Sequence, residues 1–156
     1  MALPGGTVTL LFSDIEGSTR LLECLGDGYS GVLDEHRRII RGALGAHGGH
    51  EVRTEGDAFF VAFARAGDAV RAAVAAQRGL ASCAWPGGVV VRVRMGVHTG
   101  EPRVVGGDYV GIDVHCAARI CSVAHGGQVV VSESTERVLS GGGVGGCGCG
   151  TLACIG

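Results

Sequence analysis

The sequence contains no lysine, and all 13 of its basic residues are arginines. Any chemistry that needs an ammonium group must therefore be done by guanidinium, which is planar and differently hydrated. The net charge of −2 shows no excess of positive charge, so we predict no nucleic-acid partner. No apolar run reaches the roughly 18 residues that cross a bilayer, so we also predict no membrane partner.

The first residues also predict no secretory signal. Residues 1–6, MALPGG, have neither a basic segment nor an apolar stretch, which predicts a cytoplasmic location.

The seven cysteines are scattered, and none has a cysteine or histidine partner at the spacing of a zinc site. With 46% hydrophobic and 18% charged residues, the 156-residue chain has the composition of one globular domain.

The hydrophobic periodicity predicts alternating strands and helices. Strands are predicted over 7–12, 51–54, 59–63, 89–97 and 128–132, and helices over 19–46 (interrupted near Gly26 and Gly28), 66–84, 112–123 and 133–139. Ser18 is the predicted N-cap of the first helix. This order predicts an α+β fold with a ferredoxin-like core, in which helices flank a mostly antiparallel sheet and cover one of its faces. The domain is predicted to span residues 1–140, and 141–156 to be a glycine-rich, disordered tail.

Two aspartates lie where predicted strands end. Asp14 ends the first strand, and Asp57 lies in the turn between 51–54 and 59–63. In a ferredoxin-like core these strands are neighbours, so the two carboxylates can converge, and their oxygens suit hard cations such as Mg²⁺. Alternatively, Asp14 caps the following helix and Asp57 stabilises its own turn. Spacing alone leaves both interpretations open.

Four motifs follow one another along the chain. They are FSDIEGST at 12–19, TEGDAFFVAF at 54–63, MGVHTG at 95–100, and GDYVG at 107–111 followed by VHCAAR at 114–119. Together they resemble the catalytic domains of class III adenylate/guanylate cyclases, and the resemblance covers residues 7–140. It implies the fold of that family and favours the metal interpretation of the two aspartates.

The resemblance also implies how a substrate is held. Asp14 and Asp57 would bind two ions per site, Mg²⁺ or Mn²⁺, with the Ile15 carbonyl as a backbone ligand. The triphosphate would contact backbone amides at a helix N-terminus, those of Glu16, Gly17, Ser18 and Thr19.

Four further residues match the family's base-recognition and catalytic positions. Asp108 matches the aspartate that accepts a hydrogen bond from the 6-amino group of adenine, and Arg53 stands where adenylate cyclases have lysine. Arg119 matches the arginine that stabilises the transition state, and His115 stands four residues before it, where asparagine is usual. Without the motifs, these residues would be interpreted as ordinary turn, strand and helix-surface residues.

The implied function is an adenylate cyclase that converts ATP to cyclic AMP and pyrophosphate. In this family each site lies between two domains, and this chain carries both half-sites, which implies a homodimer with two composite sites. Family members continue into a C-terminal hairpin with a lysine that binds triphosphate, whereas no basic residue follows Arg137 here. The alternative is therefore a degenerate cyclase that dimerises and binds nucleotide without turnover.

Overall fold

The computed structural model describes residues 2–141 and the backbone of Ala153–Ile155. Over these residues the strands are β1 (Val8–Ile15), β2 (His50–Glu55), β3 (Ala58–Phe63), β4 (Val93–Gly100), β5 (Arg103–Val105), β6 (Asp108–Val110), β7 (Val129–Val131) and β8 (Ala153–Ile155). The α-helices are α1 (Ser18–Leu25), α2 (Tyr29–Ala46), α3 (Ala66–Ser82), α4 (Ile112–Val123) and α5 (Glu133–Leu139), and a short 3₁₀ turn, Gly26–Gly28, separates α1 from α2.

The main sheet has the strand order β2-β3-β1-β4-β7-β8. Its first four strands pair antiparallel in the order of a ferredoxin-like core, so the predicted α+β class and core are confirmed. Strand β7 joins parallel to β4, and β5 and β6 form a separate hairpin. Strand β8 pairs antiparallel with β7, so three residues of the predicted disordered tail are in a strand. Residues 142–152 and 156 lie outside the described residues.

Helices α1, α2 and α3 cover the first face of the sheet. Their buried residues join Leu11 and Ile15 of β1 with alternate residues of β3 and β4 in one core. Four alanines of α3 are fully buried, which lets the helix approach the strands closely: Ala69, Ala72, Ala73 and Ala76.

Helix α4 lies on the second face, against β4 and β1, which corrects the prediction that helices cover one face only. This packing depends on Gly96. A Cβ atom at Gly96 would lie 2.7 Å from the Cα of Cys121 and 2.9 Å from the carbonyl carbon of Ile120. Backbone atoms cannot move aside as a flexible side chain can, so glycine is required where α4 crosses β4.

We expect Gly96→Ala to lower the free energy of unfolding by about 3 kcal/mol, because α4 must shift off the sheet. Urea denaturation measures the loss. Gly31→Ala is the matched control, since Gly31 lies in α2 with no atom near its added methyl group. That control should be neutral or stabilise by up to about 1 kcal/mol. Equal stability of the wild type and Gly96→Ala would contradict the close packing of α4.

Two predicted boundaries were wrong. Strand β4 begins at Val93 rather than residue 89, because the turn Pro86–Gly88 leads into an irregular segment in which Val90 is exposed. Ser18 is the first residue of α1 rather than its N-cap. The cap is Gly17, whose positive φ of 67° favours glycine.

A histidine lies fully buried in α2. Neither ring nitrogen of His36 has a hydrogen-bond partner among the described residues, and the ring packs edge-on against Phe59. Burial, together with the positive charge of Arg37, lowers the pKa of His36 to about 4. The ring is therefore neutral at physiological pH.

This lowered pKa predicts acid sensitivity. The unfolded chain binds a proton at His36 near its ordinary pKa, so stability is lost as the pH falls from about 6.5 towards 4. Between pH 7 and pH 5 we expect His36 to reduce the free energy of unfolding by about 2 kcal/mol. His36→Leu should lack this part of the loss in urea denaturation at the two pH values. An identical pH dependence in the variant would show that another group causes it.

Candidate active site

The ends of β1 and β3 bring the two predicted metal-binding aspartates together. Asp57 lies in the two-residue turn between β2 and β3, and its Oδ2 accepts a hydrogen bond of 2.6 Å from the backbone amide of Ile15. That amide directly follows Asp14. Asp57 therefore contacts β1 next to Asp14 rather than only stabilising its own turn.

Helix α2 holds this turn from the other side. Nε and Nη2 of Arg37 donate to the carbonyl of Gly56, at 3.1 and 2.6 Å. Gly56 has a positive φ of 58°, which favours glycine. The turn that carries Asp57 is thus fixed to both α2 and β1.

Asp14 has a partner that sequence analysis missed. Arg94 lies directly opposite it on β4, and its Nε and Nη2 donate to Oδ1 and Oδ2 of Asp14, at 2.6 and 2.7 Å. The two side chains are 29% and 28% exposed. An arginine between Val93 and Met95, both fully buried on the first face, was the signal that could have revealed it. Alternation along a strand places such a residue on the second face.

A bulge in β2 decides where Arg53 lies. Glu51 pairs with Val61, which would place Arg53 opposite Phe59, but the register shifts and Arg53 pairs with Phe60 instead. Phe59 belongs to the core of the first face and Phe60 to that of the second. The extra residue therefore moves Arg53 onto the second face.

Arg53 and Asp108 lie together there. The Arg53 guanidinium stacks 5.1 Å from the Phe60 ring centroid, and its Nε lies 3.6 Å from Oδ2 of Asp108. Oδ1 of Asp108 accepts the amide of Tyr109 at 2.8 Å, which orients the carboxylate. Phe12 stacks on Phe60 at 4.3 Å, so a row of aromatic rings connects Asp14's strand to this pair.

The start of α1 matches the predicted triphosphate contacts only in part. Gly17 caps the helix, and Ser18 and Thr19 form its first turn, where backbone amides lack helical acceptors. The amide of Glu16, in contrast, donates to the carbonyl of Arg92 at 2.8 Å. The prediction that the Glu16 amide binds triphosphate is therefore wrong, because its N–H already donates to Arg92.

His115 and Arg119 lie on the exposed side of α4, one turn apart. Neither side chain has a hydrogen-bond partner among the described residues. The helix is anchored at its start by a buried network in which Asp113 Oδ1 contacts Nε2 of His98 at 2.8 Å. The other ring nitrogen of His98 contacts the hydroxyl of Ser132 at 2.9 Å. Sequence analysis did not predict this anchor.

The carboxylate oxygens of the two aspartates suit a hard cation, but most of them already accept hydrogen bonds from other groups of the protein. Both oxygens of Asp14 accept from Arg94, and Oδ2 of Asp57 accepts from Ile15. No group of three or more histidine, cysteine, aspartate or glutamate side chains in the described residues is placed to hold a metal. The residues fit Mg²⁺ or Mn²⁺ in chemical type, provided that Arg94 moves.

The ferredoxin-like core, with two aspartates at adjoining strand ends and an arginine–aspartate pair on the second face, agrees with the arrangement that the sequence motifs imply for a class III nucleotide cyclase domain. The family model described as "Adenylate and Guanylate cyclase catalytic domain" matches residues 2–148. The chain belongs to this family.

Relatives and solved structures agree with that assignment. An uncharacterised protein of Mycobacterium tuberculosis is 38% identical over 140 residues, covering 88% of this chain and 47% of that protein. An adenylate cyclase of Lachancea kluyveri is 35% identical, covering 85% of this chain and 9% of its own length. A structure of adenylate cyclases from Trypanosoma brucei in their monomeric state superposes with a TM-score of 0.80 at 28% identity, covering 87% of this chain and 76% of that one.

The chain thus spans about half, or much less, of the curated relatives that it matches. None of the helices in the described part of the chain has the length and apolar character that a membrane crossing requires.

Proposed function

We propose that the chain is the catalytic domain of an adenylate cyclase, which converts ATP to cyclic AMP and pyrophosphate. The observation that carries this proposal is the pair of Arg53 and Asp108 beside Phe60, on the same face of the sheet as Asp14. At 3.6 Å the two side chains are too far apart for a hydrogen bond, so both can contact a base.

The pair favours adenine over guanine. The Asp108 carboxylate accepts hydrogen bonds and suits the 6-amino group of adenine, whereas the 6-oxo group of guanine would face it with like partial charge. Arg53 donates only, and suits a ring nitrogen of adenine. Phe60 offers an apolar surface beneath the guanidinium.

The reaction requires the ribose 3′-hydroxyl to attack the α-phosphate while pyrophosphate leaves. Asp14, Asp57 and the Ile15 carbonyl would hold two Mg²⁺ or Mn²⁺ ions, which neutralise phosphate charge and favour loss of the hydroxyl proton. The amides of Gly17, Ser18 and Thr19 suit phosphate oxygens.

Arg119 would stabilise the charge that develops on the phosphate, and His115 would orient the ribose. Both side chains are exposed and have no hydrogen-bond partner within the part of the chain that the structure describes, which supports their acting in a composite site with a second copy. The β5–β6 hairpin, whose strand β6 contacts α4, carries apolar side chains suited to such an interface, with Val104 44% and Val105 54% exposed. We therefore propose a homodimer with two sites.

The direct test is to incubate the purified protein with Mn²⁺ and either ATP or GTP, and to measure the cyclic nucleotide formed. We expect cyclic AMP in preference to cyclic GMP. Preference for GTP would contradict the base assignment, and absence of either product would contradict the activity.

The second candidate is a dimerising, nucleotide-binding module without turnover. The observation that favours it is the Asp14–Arg94 ion pair, which uses both oxygens of a proposed metal ligand. ATP binding by calorimetry in a protein that forms no cyclic nucleotide would support this module over the enzyme.

We expect Arg53→Ala to raise the KM for ATP more than it lowers kcat, because it removes ground-state binding. Loss of one charge-assisted hydrogen bond corresponds to a roughly ten- to hundred-fold fall in kcat/KM. Arg53→Lys, the control, should equal or exceed the wild type, since it restores the donor usual in adenylate cyclases. Unchanged steady-state kinetics in Arg53→Ala would show that Arg53 does not touch the base.

A further inference from the structure

The Asp14–Arg94 pair is built into the sheet by register. The two residues are direct partners across β1 and β4, and their neighbours Ser13 and Met95 face the first-face core. Both side chains must therefore meet on the second face, where two parallel N–H···O bonds of 2.6 and 2.7 Å join them. This bidentate form is the strongest arrangement of an arginine with a carboxylate.

The same pair blocks the proposed metal ligand. Of the four carboxylate oxygens of Asp14 and Asp57, three accept hydrogen bonds from Arg94 or from the Ile15 amide. A divalent cation at Asp14 would need the oxygens that the guanidinium uses, and the two positive groups would repel each other at that distance.

Arg94 also has a second acceptor within reach. Its Nη1 lies 3.4 Å from the carbonyl of Ser122, in the last turn of α4. Carbonyl groups at a helix C-terminus favour a positive charge. The guanidinium can thus leave Asp14 without losing every partner.

We propose that Arg94 is a resident counter-ion of the metal site: in the nucleotide-free chain it neutralises Asp14, and a divalent cation binds there only by displacing it. This inference rests on the proposed function, because it takes Asp14 to be a metal ligand. The site is then closed at rest, and its affinity for metal depends on how strongly Arg94 is held.

The test is a calorimetric titration of the nucleotide-free protein with Mn²⁺. Arg94→Gln should bind Mn²⁺ roughly ten- to hundred-fold more tightly than the wild type, the range expected for losing a competing charged hydrogen bond. Arg78→Gln is the matched control, since it removes an exposed arginine on α3 and should leave the affinity unchanged. Mn²⁺ should also raise the Tm of Arg94→Gln more than that of the wild type.

Further variants separate this inference from the proposed function. The gain in Arg94→Gln should vanish in the double variant that also carries Asp14→Asn. If Arg94→Gln gains nothing while Asp57→Asn weakens Mn²⁺ binding, the counter-ion role is overturned and the metal site stands. If no variant binds Mn²⁺, both are overturned. Should Arg94→Gln fail to fold, Arg94→Lys is measured instead, because lysine cannot make the bidentate contact with Asp14. An Mn²⁺ affinity of Arg94→Lys equal to that of the wild type overturns the counter-ion role.

Discussion

Asp57→Asn is expected to lower the rate of cyclic AMP formation by roughly 1,000-fold or more while the domain remains folded. Asparagine keeps an oxygen that can accept the 2.6 Å hydrogen bond from the Ile15 amide, so the link between the β2–β3 turn and β1 survives. The negative charge needed to hold a divalent cation is lost. Activity and stability should therefore separate, as measured by cyclic AMP assay and urea denaturation.

Companion variants test that separation. Asp57→Ala removes the hydrogen bond as well, so it should lose activity equally but also about 1–2 kcal/mol of stability. Asp34→Asn neutralises an exposed carboxylate on α2 and should leave both properties unchanged. Substantial cyclic AMP formation by Asp57→Asn would mean that the reaction does not depend on this carboxylate.

The structure also changes what is expected of Asp14. Two close carboxylates predict that removing one relieves repulsion and raises stability. Asp14 is instead paired with Arg94, so Asp14→Ala leaves a half-buried guanidinium without its counter-ion. We therefore expect that variant to be less stable than the wild type.

The sequence was sufficient for the fold and for the neighbouring strand ends at which the two aspartates lie. The order of apolar segments defined a ferredoxin-like core, and that topology places β1 next to β3. Local signals also located α4 and α5 to the residue. These features depend on periodicity within one segment and on chain order, both of which are visible in a single sequence.

The features that the sequence did not predict depend on how separate segments align with one another. The bulge that moves Arg53 from the Phe59 side to the Phe60 side leaves no mark in β2 itself. The partner of Asp14 is 80 residues away and follows only from the alignment of β1 with β4. The place of α4 on the second face depends on Gly96. A glycine in a strand indicates that another backbone approaches closely, but it does not indicate which element approaches.

Mixing two inactive chains should restore activity, because the proposed site is shared between copies. Asp57→Asn inactivates the half-site that holds metal, and Arg119→Ala inactivates the half-site that stabilises the transition state. In a heterodimer of these chains one site carries both substitutions and the other carries neither. Random pairing makes half of the dimers mixed, each with one intact site of two, so about a quarter of wild-type activity should return.

The matched control mixes Asp57→Asn with Asp14→Asn chains. Both substitutions lie in the same half-site, so every site in every dimer keeps one of them and no activity should return. Recovery in the first mixture but not in the second identifies a composite site, since simple stabilisation by a partner would act in both. If tagged chains are shown to form heterodimers and the first mixture stays inactive, Asp57 and Arg119 do not belong to one site across an interface.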